Sequence, residues 1–155
     1  MLAEGIAGSS LRALAKAAGT SDRMLLYYFT DKQEIVAATL RCVVDRFAVI
    51  IEGAPMPPAP PDAAAARLTR VMLAPALRPY LRLWLEIVAE AARGDRLCRA
   101  IGEEIGRKFL AWCADQVACE PDEKPREAAR LLAAAQGAMA LSNVGLGYLY
   151  HGGTR

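Results

Sequence analysis

The chain has 155 residues, enough for one ordinary domain or for a small reader fused to a larger helical core. Hydrophobic residues make up 54% and aromatics 6%, alanine and leucine dominate, and no stretch alternates as a half-buried strand does; the chain is expected to be all-α. The net charge of +2 is too small to be an electrostatic footprint, because through Phe47 six basic residues (Arg12, Lys16, Arg23, Lys32, Arg41, Arg46) face five acidic ones (Glu4, Asp22, Asp31, Glu34, Asp45). A case for nucleic-acid binding must therefore rest on where charges sit.

Residues 1–9 are short, contain glycine and serine, and carry little periodicity. Ser10 is a good N-cap for a helix over about Leu11–Ala17, and Gly19 reads as the positive-φ residue of a tight turn. Ser21 then caps a second short helix ending near Phe29. Asp31, with Glu34 three residues on, spells a capping box for a third helix from Lys32 to about Glu52. Its expected apolar stripe is Ile35, Leu40, Val43 or Val44, and Phe47 or Ile50. Residues 53–61 hold five prolines, which forbid helix and predict a surface loop between two packed helices.

Four more helical stretches follow. One is expected over Asp62 to about Ala74, stopped by Pro75, and one over about Pro79 to Arg93, stopped at Gly94. Asp95 caps a third that reaches about Val117, and a fourth is expected from about Pro125 to Tyr150. Residues 131–150 have the length of a bilayer span, but Gln136, Ser142, Asn143 and three glycines interrupt them and no basic cluster flanks them. The expectation is no membrane contact. Instead this helix faces its own core on one side and a second subunit on the other, with Ala134, Ala138 and Ser142 as a small-residue stripe.

The chemistry-bearing residues are sparse. Cys42, Cys98, Cys113 and Cys119 form no C-x-x-C pair and His151 is the one histidine, so no metal site is expected and the cysteines read as buried small hydrophobes. Glu86 and Glu90 share a helix face with Arg82 and read as a surface ion-pair row. No acid/base pair, activated nucleophile or cofactor motif appears, which points away from an enzyme. Free thiols and no secretory signal at the start point to the cytoplasm.

The informative segment is Ser10–Lys32, SLRALAKAAGTSDRMLLYYFTDK. Leu11, Leu14, Ala15 and Ala18 share one face of the first helix, and Leu25 and Phe29 one face of the second. Packed across the Gly19 turn they make a helix-turn-helix unit, with small Ala15 permitting the close crossing. The second helix then projects Asp22, Arg23, Met24, Leu26, Tyr27 and Tyr28, as a recognition helix does in the major groove. Helix N-termini at Ser10, Ser21 and Lys32 offer free N–H groups to phosphates. Ser10, Tyr27, Tyr28 and Lys32 would position the reader, and Arg23 is suited to guanine O6/N7. Asp22 could accept from cytosine N4 or cap its own helix, and Met24 or Leu26 could meet a thymine methyl.

This segment resembles the reader of the TetR family of bacterial repressors. The family pattern is roughly Thr-x-Arg-x-Ile-Ala-x-x-Ala-Gly-Val-Ser, four variable residues including a leucine, then Tyr-x-Tyr/His-Phe-x-x-Lys. Ser10, Arg12, Leu14-Ala15, Ala18-Gly19-Thr20-Ser21, Tyr28-Phe29 and Lys32 stand at its places. The family's first recognition-helix tyrosine, commonly a phosphate contact, falls on Leu26, which shifts that role to Tyr27 or Tyr28. The family also places a long helix before the glycine that aligns with Gly5 and a further helix after about Arg155, so the sequence resembles a member clipped at both ends.

The resemblance implies a helix-turn-helix domain over 1–46 and a helical effector-binding and dimerisation domain over 47–155. It implies a homodimer through the helix 125–150 that binds palindromic double-stranded operator DNA, and a small apolar or amphipathic effector. Trp84, Phe109 and Trp112 are the candidates for that effector's cavity, although aromatic residues at such spacing serve a core equally well. The competing expectation is a truncated helical interaction module that dimerises without reading DNA.

Overall fold

In the computed structural model, residues 1–3, 5, 6, 8–53 and 57–150 are described. Among them are seven α-helices: α1 (Leu11–Ala17), α2 (Asp22–Tyr28), α3 (Lys32–Glu52), α4 (Pro61–Met72), α5 (Arg78–Ala92), α6 (Arg96–Asp115) and α7 (Lys124–Asn143). Short 3-10 turns occupy Pro75–Leu77 and Gly147–Tyr150. The expected all-α class is what forms. His151 lies outside the described residues.

Side-chain caps start several helices where the sequence places them. Ser10, Ser21 and Asp31 accept the N–H of Ala13, Met24 and Glu34. Asp95 accepts the N–H of Cys98 at the start of α6. Each satisfies a donor that a helix end leaves unpaired. One detail differs from the expected capping box: Glu34 reaches back to the N–H of Thr30, one residue before the cap, at 2.6 Å.

Three helix ends fall short of expectation, among them α6, which closes at Asp115 rather than Val117. α4 closes at Met72 rather than Ala74, because Pro75 pushes the residue before it into extended backbone and opens a 3-10 turn. α7 ends at Asn143 rather than Tyr150: Leu146 and Gly145 donate back to the carbonyls of Leu141 and Ser142, which closes the last turn. No helix among the described residues is long and apolar enough to cross a membrane.

The chain forms two compact units that interleave along the sequence, Met1–Gly53 with Arg82–Glu103, and Ala54–Leu81 with Glu104–Arg155. In the first, Leu14, Ala15, Leu25, Ile35, Val36, Ala37 and Leu40 are buried together with Leu83, Ile87 and Ile101 of α5 and α6. On α3, Val43, Val44 and Phe47 are half-buried, while Ile50 is exposed and Ile51 is buried instead. In the second unit α4 packs along α7, burying Ala64, Leu68 and Met72 and, from α7, Ala128, Leu131, Ala135, Ala138 and Met139. The proline-rich stretch joins this unit through Ala59, which donates to Gln116 and accepts from Ala118.

The cysteines divide by environment. Cys98 and Cys113 are buried, Cys119 is half-buried, and Cys42 is exposed on α3, against the expectation of four buried thiols. Position 42 lies away from the side of α3 that carries Val36, Leu40 and Ile51, which are buried. Burial pushes the Cys113 thiol up to about 12. Burial, and then the hydrogen bond with Asp95, push Cys98 up to about 11.

Two outcomes follow from this packing. At pH 8 a thiol reagent modifies Cys42 well before Cys98 and Cys113, which stay protonated and covered until the chain unfolds; mass mapping of the labelled peptides reads the order. Leu68→Ala, emptying a fully enclosed site, lowers stability by about 2–5 kcal/mol in urea unfolding.

Candidate nucleic-acid interface

The site is built on two seven-residue helices, too short to be stable alone. Each is held by one side-chain cap and by a small buried set: Leu14 and Ala15 on α1, Leu25 on α2. The chain turns between them at Gly19, which has φ +66°. Its N–H donates to Lys16 C=O at 3.2 Å, and Thr20 N–H donates to Ala15 C=O at 2.9 Å. These two bonds end α1 with the left-handed closure that glycine adopts without steric cost. Space around Gly19 is open, so conformation alone demands a glycine there.

That turn decides what α2 presents. With Leu25 alone buried, the other six residues of the helix are exposed. They include Met24, Leu26, Tyr27 and Tyr28, the last two 78% and 70% exposed. The two tyrosine rings meet edge to face, 5.1 Å apart at 88°. Four large, partly apolar side chains in water on one short helix are costly to solubility and mark a contact surface. Asp22 and Arg23 stand beside them, also exposed. Ser21 holds the cap of α2, so Asp22 is left in the first turn, where its charge complements the helix dipole.

The other sequence-predicted contacts surround this helix. Ser10 and Ser21 are exposed, and each uses a hydroxyl oxygen to accept a backbone N–H. A hydroxyl that accepts in this way still has its own proton to donate, so capping and phosphate contact are compatible. Lys32 is exposed as the first residue of α3, near that helix's positive dipole end. The structure adds Arg12 and Lys16, exposed on α1.

The aromatic candidates of the larger helical part fall into separate units. Phe109 and Trp112 stack on α6 with ring centroids 5.4 Å apart and planes 11° apart, both half-buried. Trp84 is half-buried on α5, within the first unit. Glu86 departs from the ion-pair row that its spacing suggests: it is half-buried and accepts the N–H of Ile6 at 2.7 Å. Nothing local in the sequence signals a partner 80 residues away. Among the described residues no group of three His, Cys, Asp or Glu side chains is placed to hold a metal ion.

Residues 1–39 match the family model described as bacterial regulatory proteins, tetR family. The HTH-type transcriptional regulator BetI of Burkholderia thailandensis is 30% identical over 136 residues, which cover 84% of this chain and 68% of that protein. No solved structure matches the chain.

Because Gly19 meets open space, Gly19→Ala tests backbone conformation alone. It lowers stability by about 1 kcal/mol in urea unfolding, and Gly19→Asn by less, since asparagine tolerates the left-handed region better. Equal losses for the two would contradict this account of the turn.

Proposed function

The chain belongs to the TetR family of bacterial transcriptional regulators, and from that premise we propose that it is a ligand-responsive repressor acting in the cytoplasm as a homodimer on palindromic operator DNA. The observation that carries this reading is the exposure of Met24, Leu26, Tyr27 and Tyr28 beside Arg23 on a rigidly capped α2. A helix with one buried residue and a broad outward face fits the major groove. Arg23 reads guanine O6/N7, Met24 or Leu26 meets a thymine methyl, and Asp22 accepts from cytosine N4. Ser10, Ser21, Tyr27, Tyr28 and Lys32 hold phosphates and fix the register.

In this reading residues 1–46 are the DNA-binding domain and 47–155 the effector-binding and dimerisation domain. α7, the helical part of the 125–150 segment, supports a dimer: Ala138 of the expected stripe is buried in its own unit, but Ala129, Ala133, Ala134, Gly137 and Ala140 are exposed, a surface on which a second helix can approach closely. Two readers about one helical turn of DNA apart, roughly 34 Å, then meet two half-sites. A small apolar or amphipathic effector, with Phe109 and Trp112 on α6 or else Trp84 on α5 as its candidate contacts, favours a dimer whose readers no longer match that spacing.

The test is a titration of labelled DNA from the region upstream of the gene. The expected result is a sequence-selective shift that weakens steeply with salt. Arg23→Ala relaxes the preference at one position of each half-site by about 1–3 kcal/mol. Lys32→Ala weakens all sequences alike and lowers the salt slope by about one per reader. Absence of any selective binding would sink the repressor reading in favour of a helical dimerisation module, and exchanged phenotypes for the two variants would refute the roles given to them.

A further inference from the structure

We propose that Glu86 is a positioning residue for the DNA reader, holding the chain that leads into α1 from a helix far along the sequence. The proposal rests on the regulator reading for its functional meaning and on four contacts for its physics. Ile6 N–H donates to Glu86 Oε2 at 2.7 Å. Gly5, the residue before, has φ +71° and donates its own N–H to Met1 C=O at 2.8 Å. Its carbonyl accepts the hydroxyl of Ser9 at 2.7 Å. Ser9 in turn donates its N–H to Ile6 C=O and is 1% exposed.

These contacts form one chain of hydrogen bonds from α5 to the start of the reader. Glu86 holds Ile6, Gly5 and Ile6 hold Ser9, and Ser9 is followed directly by Ser10, the cap of α1. A carboxylate is the stronger kind of acceptor for a half-buried N–H, and losing it leaves that donor unpaired. Gly5 reports how close the carboxylate lies. A Cβ there would stand 2.5 and 2.6 Å from the two Glu86 oxygens, so a side chain at position 5 displaces Glu86. Gly5 is thus required twice, by its backbone conformation and by the approach of the carboxylate.

On α5, Leu83 and Ile87 are buried at three residues before and one after Glu86, and Ile87 lies against Gly102 of α6. Helix α5 is therefore fixed by packing at the level of Glu86. The bond transmits that fixed position to α1, whose own seven residues bury two side chains. A shift of α5 along its axis that parts Glu86 from Ile6 loosens the reader without unfolding it. Glu86 makes no contact with DNA in this account; it acts through the Ile6–Ser9 chain.

Amide hydrogen exchange by NMR on the full chain tests the proposal without any DNA. Glu86→Ala should speed exchange across Ser9–Leu14 and α2 roughly tenfold or more, while Leu68 and Leu131 of the second unit stay protected. Glu86→Gln, which keeps an acceptor oxygen, should hold exchange near the wild-type rate. Gly5→Ala should mimic Glu86→Ala, and should cost less when Glu86 is already alanine, because its conformational strain is common to both backgrounds and the clash is not. Unchanged reader exchange in Glu86→Ala overturns the proposal. Equal acceleration in both units also overturns it, since Glu86 would then serve stability in general. Titration of upstream DNA completes the test: given the exchange result, Glu86→Ala should weaken binding to all sequences alike, with rescue by Glu86→Gln. Failure of the wild-type chain to bind selectively would count against the repressor reading and leave the exchange data to decide the role of Glu86.

Discussion

The packing of Leu14 and Ala15 against Leu25 across the Gly19 turn is the constraint on which the reader depends. Two helices of seven residues bury three side chains between them, and neither helix is long enough to persist by propensity. The turn must therefore hold their crossing, and it does so with two backbone hydrogen bonds and one left-handed glycine. Alanine at position 15, 1% exposed, keeps the contact close. Once Leu25 is anchored, the 3.6-residue period turns Arg23, Met24, Leu26 and Tyr27 outward. The exposure of Tyr27 is a consequence of that geometry rather than a defect of it.

The same economy governs the polar groups. Helix ends carry N–H groups that must be paired, and Ser10, Ser21 and Asp31 pair one each. The two serines do this with an oxygen and keep a proton for another acceptor, whereas Asp31 has no proton to give. The capped N-termini of α1 and α2 thus combine a positive dipole end with a donor hydroxyl, and α3 combines one with Lys32. A chain of net charge +2 can present an anion-attracting surface in this way, because dipole ends and single cations act locally within a Debye length.

Short elements also need support from beyond their own sequence. The residues before α1 carry little periodicity, yet Ser9 is among the most enclosed side chains of the molecule. The cause is tertiary: a carboxylate on α5 and a left-handed glycine turn the segment inward. The first compact unit is assembled from both ends of a discontinuous stretch, and its core draws on α5 and α6 as much as on the reader.

What the sequence determined by itself was every feature with a local cause. The caps at Ser10, Ser21, Asp31 and Asp95 and the turn at Gly19 are each specified within a few residues, so α1 and α2 and the starts of α3 and α6 were legible. The outward direction of Arg23, Met24, Leu26 and Tyr27 follows from the period once Leu25 is recognised as the buried position, whereas the exposure of Asp22 and Tyr28, three residues either side of it, is decided by the packing. Helix ends were less legible, as α4 and α7 show, since whether a helix continues past Met72 or Asn143 depends on closing bonds that compete with propensity. What only the tertiary structure decided was long-range pairing. Glu86 has the spacing of an ordinary surface row and instead meets Ile6, and Cys42 has the composition of a core residue and instead faces water. The reason is the same in both cases: a side chain's partner across 80 residues, or its side of a long helix, is set by which apolar faces pack, and a local pattern does not encode that choice.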